Sequence, residues 1–292
     1  MDVHNTGCDC IVGMANYVLL GTLLALVTAL PFAWKWQLGM FRVGVTVVLF
    51  SLLAAVMVGA AARLLPITNA ERAGLVGLLA IVMATGLLAF LFYRDPERTA
   101  PDRTDIVVSP ADGVVIYVRR FQDGGAMPFA TKNGRNYELV ELTKTPLSTG
   151  DALDVGISLS LLDVHVNRAP WSGRVAFQRH FPGLFGSLRR PEMIFQNERA
   201  TTLIENNGYQ VAVVQIASRL VRQIAVFVRE GQRVALGERM GAIRLGSQVD
   251  LVLPERKGLR VLVKPGDRVR AGESIIAVLE GWTASVSATG SE

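Results

Sequence analysis

The chain has 292 residues, half of them hydrophobic, with 30 basic and 25 acidic side chains and two cysteines. That length allows one or two domains with a sizeable core. No basic run is interleaved with aromatic residues, which excludes nucleic acid as a partner, and Cys8 and Cys10 lie too near the start to staple or ligate anything beyond the first segment.

Three stretches carry no charge: Ile11 to Ala33, Val43 to Ala62 and Gly74 to Tyr93. Each has about the 20 residues that a helix needs to cross the roughly 30 Å hydrocarbon layer. A soluble bundle would keep a polar face on each helix and these have none, so three transmembrane helices are expected within residues 1–94. Residues 1–10 hold no Lys or Arg, which argues against a cleaved signal peptide. Basic residues gather after the third stretch, at Arg94, Arg98 and Arg103, so the N-terminus is expected outside and the C-terminal domain in the cytoplasm, with Trp34 and Trp36 at the inner interface. Up to Arg94 there are five basic and three acidic residues, leaving 25 and 22 beyond it. A slightly positive C-terminal part suits anionic lipid heads.

Hydrophobicity drops after Tyr93, and residues 95–292 read as a separate domain. Short apolar runs punctuated by glycine follow: Ile106 to Val108, Gly113 to Val118, Val155 to Leu161, Gly173 to Phe177, Ala200 to Glu205, Val211 to Ile216 and Ile224 to Val228. Many short strands indicate a β-rich α+β domain, with helix expected only around Ile216 to Leu220 or near Leu162. Val228-Arg-Glu-Gly-Gln-Arg-Val-Ala-Leu-Gly-Glu repeats as Val263-Lys-Pro-Gly-Asp-Arg-Val-Arg-Ala-Gly-Glu. The pair resembles the halves of a biotinyl or lipoyl barrel sandwich, although no Met-Lys or Asp-Lys pair lies between the copies.

Between those copies, two strand-like runs flank Gly246-Ser247. Attack of Ser247 Oγ on the uncrowded Gly246 carbonyl would move the acyl group from nitrogen to oxygen. Elimination of the ester would then break the chain, and the dehydroalanine left at 247 would hydrolyse to a pyruvoyl group. A Gly-Ser pair is equally a turn. Only three histidines exist. His4 has no evident role; His165 ends a strand between Asp163 and Asn167, and His180 precedes an aromatic loop. Either is a core or surface histidine unless a partner is found. Asp112, in Val108-Ser-Pro-Ala-Asp-Gly, is either a turn residue or a carboxylate for such a partnership.

Five segments occur in order: Tyr93-Arg-Asp-Pro-Glu-Arg, Val108-Ser-Pro-Ala-Asp-Gly, Asp163-Val-His-Val-Asn-Arg-Ala-Pro, Asn197-Glu-Arg and Leu245-Gly-Ser-Gln-Val-Asp. Together they resemble the phosphatidylserine decarboxylase family over residues 92–281, most closely its short bacterial form. Gln248 stands where the longer forms have threonine, and Arg168 where they have a second histidine. The three spanning helices exceed what the short form usually carries. The resemblance implies a proenzyme that cuts itself into a β chain, residues 1–246, and an α chain, residues 247–292. It implies an Asp112, His165, Ser247 triad for the cut, and Ser247 as the source of the covalent pyruvoyl cofactor and Schiff-base site, with no metal. The substrate would be phosphatidylserine and the product phosphatidylethanolamine, with His165 also managing the proton of decarboxylation. Arg168, which could meet a phosphate or carboxylate, the motif residue Asn197, and Phe181, whose loop could dip into lipid, are candidates for substrate contact. Two alternatives remain: an uncut membrane-anchored barrel-sandwich carrier or adaptor, and a decarboxylase of a related lipid such as an archaetidylserine. The oligomeric state, a homo-oligomer included, is open.

Overall fold

The computed structural model describes residues 5–36, 38–121, 139–145, 147, 151–188, 190, 192–218, 224–243 and 247–282, with the backbone alone for 5–12 and 247. The chain divides into two compact units, Met1–Tyr93 and Arg94–Glu292.

The first unit holds three helices, α1 (Asn5–Lys35), α2 (Met40–Ala61) and α3 (Asn69–Tyr93), each long and apolar enough to cross a membrane. Helix α1 starts six residues before the expected span, so Cys8 and Cys10 belong to helix rather than to a tail. Thr68 and Glu71 cap α3 reciprocally: the Thr68 amide donates to the Glu71 carboxylate at 2.7 Å and the Glu71 amide to Thr68 Oγ1 at 3.3 Å. A Cβ on Gly21 would lie 2.7 Å from the Ala73 carbonyl oxygen, so the missing side chain is what lets α1 and α3 touch. Leu19, Leu23, Val27, Leu49, Val56 and Phe90 point outward from the bundle. A bundle with small residues inside and large apolar ones outside is a lipid-facing design.

The second unit is β-rich. In chain order it contains β1 (Ile106–Val108), β2 (Gly113–Phe121), α4 (Leu139–Thr143), β3 (Ala152–Leu159), β4 (Val166–Arg168), β5 (Gly173–Phe181), α5 (Met193–Gln196), β6 (Arg199–Asn206) and β7 (Tyr209–Ile216). Then come β8 (Ile224–Val226), β9 (Arg233–Val234), β10 (Arg239–Ile243), β11 (Ser247–Pro254), β12 (Leu259–Val261), β13 (Arg268–Val269) and β14 (Ile275–Leu279). The expected strands all form. The short helices described fall at α4 and α5; Leu162 lies in a turn, Ile216 ends β7, and residues 219–220 of the helix expected from Ile216 to Leu220 lie outside the described residues.

An eight-stranded antiparallel sheet runs β13-β2-β3-β11-β7-β6-β5-β9, and two three-stranded sheets run β1-β14-β12 and β4-β10-β8. The orders are those of a repeated structure. Gly173 pairs with Val234 as Gly113 does with Val269, and Ile243 donates to the His165 carbonyl as Leu279 does to that of Asp105. Gly231 and Gly266, equivalent in the sequence repeat, both have positive φ, 86° and 97°. The repeat is wider than its glycine-rich part, since Ser109-Pro-Ala-Asp-Gly113 and Ala169-Pro-Trp-Ser-Gly173 also take equivalent places before β2 and β5.

One connection breaks the equivalence. In the second half β6 and β7 are joined by the tight turn Asn207-Gly208, both residues at positive φ. In the first half the partners β3 and β11 are separated by the whole second half, which leaves after Leu159 and returns at Ser247, and these two residues face each other in the ladder. Ser247 is therefore the point where the chain re-enters the first half.

Strand alternation sends β11 residues to two cores. Val249, Leu251 and Leu253 join Val155, Ile157, Val213 and Trp171, while Val252 joins Tyr117, Phe121, Val214 and residues of α4 and α5. Tyr117 lies across Gly156, where a Cβ would come within 2.3 Å of the ring, and its hydroxyl donates to Asp250 at 2.9 Å. We expect Gly156→Ala to push the ring off Asp250 and to destabilise the unit by about 2–4 kcal/mol, read as a lower thermal midpoint in detergent.

Candidate active site

The two ends of the 159–165 connection are paired with Ile243 and Ser247, the residues that flank 244–246. Leu159 pairs with Ser247 at one end, and at the other the Ile243 amide donates to the His165 carbonyl at 3.0 Å. Only residues 244–246 separate Ile243 from Ser247, and these, Gly246 among them, lie outside the described residues. The described residues on either side of those three, Ile243 and Ser247, are thus tied to His165 and to Leu159 respectively. Within the 159–165 connection the Ser160 amide donates to the Asp163 carboxylate at 2.7 Å, forming the turn that delivers His165 into β4.

His165 is 4 % exposed. Burial pushes its imidazole below the ordinary histidine value; the backbone and charge of Asp163 oppose this, Arg94 adds to it, and the Asp112 charge opposes it. A buried imidazole kept neutral at pH 7 is a ready proton acceptor.

Asp112 closes the turn before β2. Two donors of β4 fix that turn, the Arg168 amide at 2.9 Å and Asn167 Nδ2 at 3.3 Å, both onto the Pro110 carbonyl. The carboxylate takes both ends of the Arg98 guanidinium, at 2.5 and 2.8 Å, and the Ala271 amide at 2.8 Å. The turn that carries Asp112 is thus fastened to β4, the strand that directly follows His165. Arg98 lies in a segment already notable in the sequence, where it counts only among the basic residues that follow the third apolar stretch. Its signal was the alternation of charge in Arg94-Asp-Pro-Glu-Arg98 directly after an apolar span.

The residues considered for substrate contact have other engagements. Arg168 is buried, and its guanidinium donates to the Gly237 and Pro96 carbonyls at 3.0 and 2.9 Å and to Asp95 at 3.4 Å. Asn197 is buried with its amide divided between Gly186, as acceptor and donor, and the Ala217 carbonyl. Next to it Glu198 pairs with His180 at 2.7 Å, and Arg199 caps α4 through the Glu141 and Leu142 carbonyls. Burial lowers the Arg199 guanidinium to about 10. The Asn-Glu-Arg motif therefore stitches a loop, a strand and a helix together. Phe181 ends β5, half-buried and stacked on Phe177, beside the exposed Pro182, Gly183 and Leu184.

Gln248 occupies the face opposite to Val249, where its amide donates to Tyr117 Oη at 2.5 Å and to Asp250 at 2.7 Å. It anchors β11 rather than facing the junction.

Comparison with known proteins bears on what such a junction does. A family profile described as phosphatidylserine decarboxylase matches residues 86–277. A Pelobacter propionicus protein named phosphatidylserine decarboxylase proenzyme is 36 % identical over 206 residues, 70 % of this chain and 83 % of that protein. One of the same name from Azorhizobium caulinodans is 39 % identical over 209 residues, 69 % and 81 % of the two chains. A Methanocaldococcus jannaschii protein, provisionally named an archaetidylserine decarboxylase proenzyme, is 39 % identical over 194 residues, 66 % and 90 %.

Proposed function

The chain belongs to the phosphatidylserine decarboxylase family, and we propose that it is made as a proenzyme that cuts itself between Gly246 and Ser247 and then converts phosphatidylserine to phosphatidylethanolamine. The observation that supports this reading is that Ile243, three residues before Gly246, bonds to the His165 carbonyl while Ser247 pairs with Leu159. The neutral His165 imidazole takes the Ser247 hydroxyl proton as the oxygen attacks the Gly246 carbonyl, and the negative charge of Asp112 stabilises the imidazolium that results. The peptide C–N bond breaks, the ester formed is eliminated to free the Gly246 carboxylate, and hydrolysis of the dehydroalanine releases ammonia.

The main chain fits a group formed there. Ile243 is tied to His165 on one side of the cut, and β11 is held between β3 and β7 on the other, so the chain is anchored at Ile243 and along β11. The pyruvoyl group supplies an electron sink for the carbanion left when carbon dioxide departs. His165 is placed to return a proton to that carbon. Arg168 and Asn197 serve as framework in this reading, and Phe181 with Pro182 to Leu184 is the substrate-side element that meets the lipid interface. Three membrane helices keep the catalytic unit at the headgroup level, on the cytoplasmic side by the distribution of basic residues. The two halves around the junction are what the sequence repeat expresses, and a barrel sandwich is the arrangement we assign to them.

The test is the denatured mass of the purified wild-type protein together with its turnover of phosphatidylserine vesicles. Two fragments are expected, the smaller beginning at residue 247 and lighter than its unmodified peptide by one ammonia, with phosphatidylethanolamine as product. A single uncut chain would overturn the reading in favour of an adaptor. A second reading, archaetidylserine as substrate, is favoured by the Methanocaldococcus relative, and the same assay with that lipid separates the two.

A further inference from the structure

We propose that Arg98 is a positioning residue for self-cleavage: it pins the Asp112 carboxylate as a fixed charge near His165 and ties it to Ala271, in the segment that becomes the C-terminal fragment. This rests on the Asp112, His165, Ser247 reading. Arg98 and Asp112 are almost fully enclosed, their side chains 6 % and 11 % exposed. Arg98 Nη1 also donates to the Ala271 carbonyl at 2.8 Å, while the Ala271 amide donates to Asp112 Oδ1 at 2.8 Å. One guanidinium therefore fastens both carboxylate oxygens and, with the carboxylate, both main-chain polar groups of Ala271 across the future fragments.

The arrangement is not part of the repeated scaffold. In the second half the position of Asp112 is taken by Ser172, so the carboxylate and its arginine exist only once. Arg98 is also held from its own side. It belongs to a strap whose Arg94 donates to the Leu162 carbonyl at 2.7 Å, three residues before His165, and whose Asp95 and Glu97 pair with Arg239.

A carboxylate gripped by three donors cannot turn to accept a proton from the imidazole, and acts on it only through space. Without Arg98 it is free to turn, and direct contact favours the imidazolium by about one pH unit or more. Cleavage needs the neutral imidazole, so the acid limb of its rate against pH would move up.

The experiment uses the full chain, synthesised cell-free into phospholipid vesicles at an acid pH at which gels show that it stays uncut. It is then jumped to pH values from 5 to 9, with cleavage followed on gels. Arg98→Ala is expected to cut about 10- to 100-fold more slowly at the plateau, with the acid limb about one unit higher. In an Asp112→Asn background the same substitution should leave the limb where it was. Arg98→Lys, which keeps the charge and one hydrogen bond, should fall between wild type and Arg98→Ala on both readouts, and it stands in if Arg98→Ala aggregates. Slowing with an unmoved limb, or a shift that persists without Asp112, would overturn the proposal. Asp112→Asn cutting as fast as wild type would remove the triad reading itself, whereas a slow Asp112→Asn beside an unshifted Arg98→Ala removes the role of Arg98 alone.

Discussion

Ser247→Ala and His165→Gln should each leave a single uncut chain with no decarboxylase activity, and for different reasons. Without the Ser247 hydroxyl there is no nucleophile and no precursor of the ketone, so cleavage falls to the background of peptide hydrolysis. With glutamine at 165 the nucleophile remains and its proton acceptor is lost, which costs about 10²- to 10⁴-fold. Long incubation of His165→Gln should therefore yield some cut chain, and Ser247→Ala none. The folded state should survive both changes, because what ties residue 165 to β10 is its own carbonyl, which accepts the Ile243 amide, and what ties 247 to β3 is backbone pairing with Leu159. Gel filtration in detergent checks the fold, and intact mass over days checks the cleavage. Equal and complete processing of His165→Gln would mean that another group takes the proton.

The elements of this molecule were legible where local chemistry alone decides them. Uncharged stretches of about 20 residues have one stable outcome in lipid, and the short alternating runs between glycines became strands at or near the expected residues. The copies at 228–238 and 263–273 were visible because their glycines mark the same turns. The equivalence of Ser109-Pro-Ala-Asp-Gly with Ala169-Pro-Trp-Ser-Gly was not read, because side chains there have diverged while the pairing has not. The helices α4 and α5 were missed for a similar reason. At five and four residues they are too short to show a period, and they form by packing Leu142, Ile194 and Phe195 on the sheet.

For the site, residue type and spacing left His165, Asp112 and the Gly246-Ser247 pair open between structural and catalytic readings, and it was the family resemblance of the five ordered segments that implied their partnership. The sequence could not reveal that Arg98 grips Asp112, because fourteen residues and a turn separate them and only folding closes that distance. Nor could it show which groups Arg168 and Asn197 bond to in the folded chain. A guanidinium aimed at backbone carbonyls and one aimed at a phosphate are the same letter in a sequence.

Asp154→Asn should stabilise the protein, and increasingly so as pH rises. Asp154 on β3 and Asp250 on β11 share a face of the sheet as diagonal neighbours, both fully buried. Asp250 accepts from Tyr117 and Gln248 through one oxygen. Its other oxygen and both oxygens of Asp154 have no hydrogen-bond partner among the described residues. The positive charges felt there are those of Arg119, which pairs with Asp154 in the ladder, and Arg199, and their effect is smaller than that of burial. Burial therefore pushes Asp250 up to about 6, and Asp154 well above the ordinary carboxylate value, with the Asp250 charge adding to the second shift. The folded chain thus keeps a proton that the unfolded chain releases near pH 4, and stability falls as pH climbs through the interval between the two values. The slope is about 1.4 kcal/mol per pH unit for each proton kept. An asparagine has nothing to release, fits the same space and can offer its amide to the free oxygen of Asp250. The thermal midpoints of wild type and Asp154→Asn in detergent should lie close together near pH 5 and diverge by pH 8, with the variant higher. A gap that stays constant across that range would show that Asp154 is ionised and paired in the folded chain. Because β11 begins at Ser247, the same substitution would give a firmer background in which to compare the active-site variants, without touching the face that carries Val249.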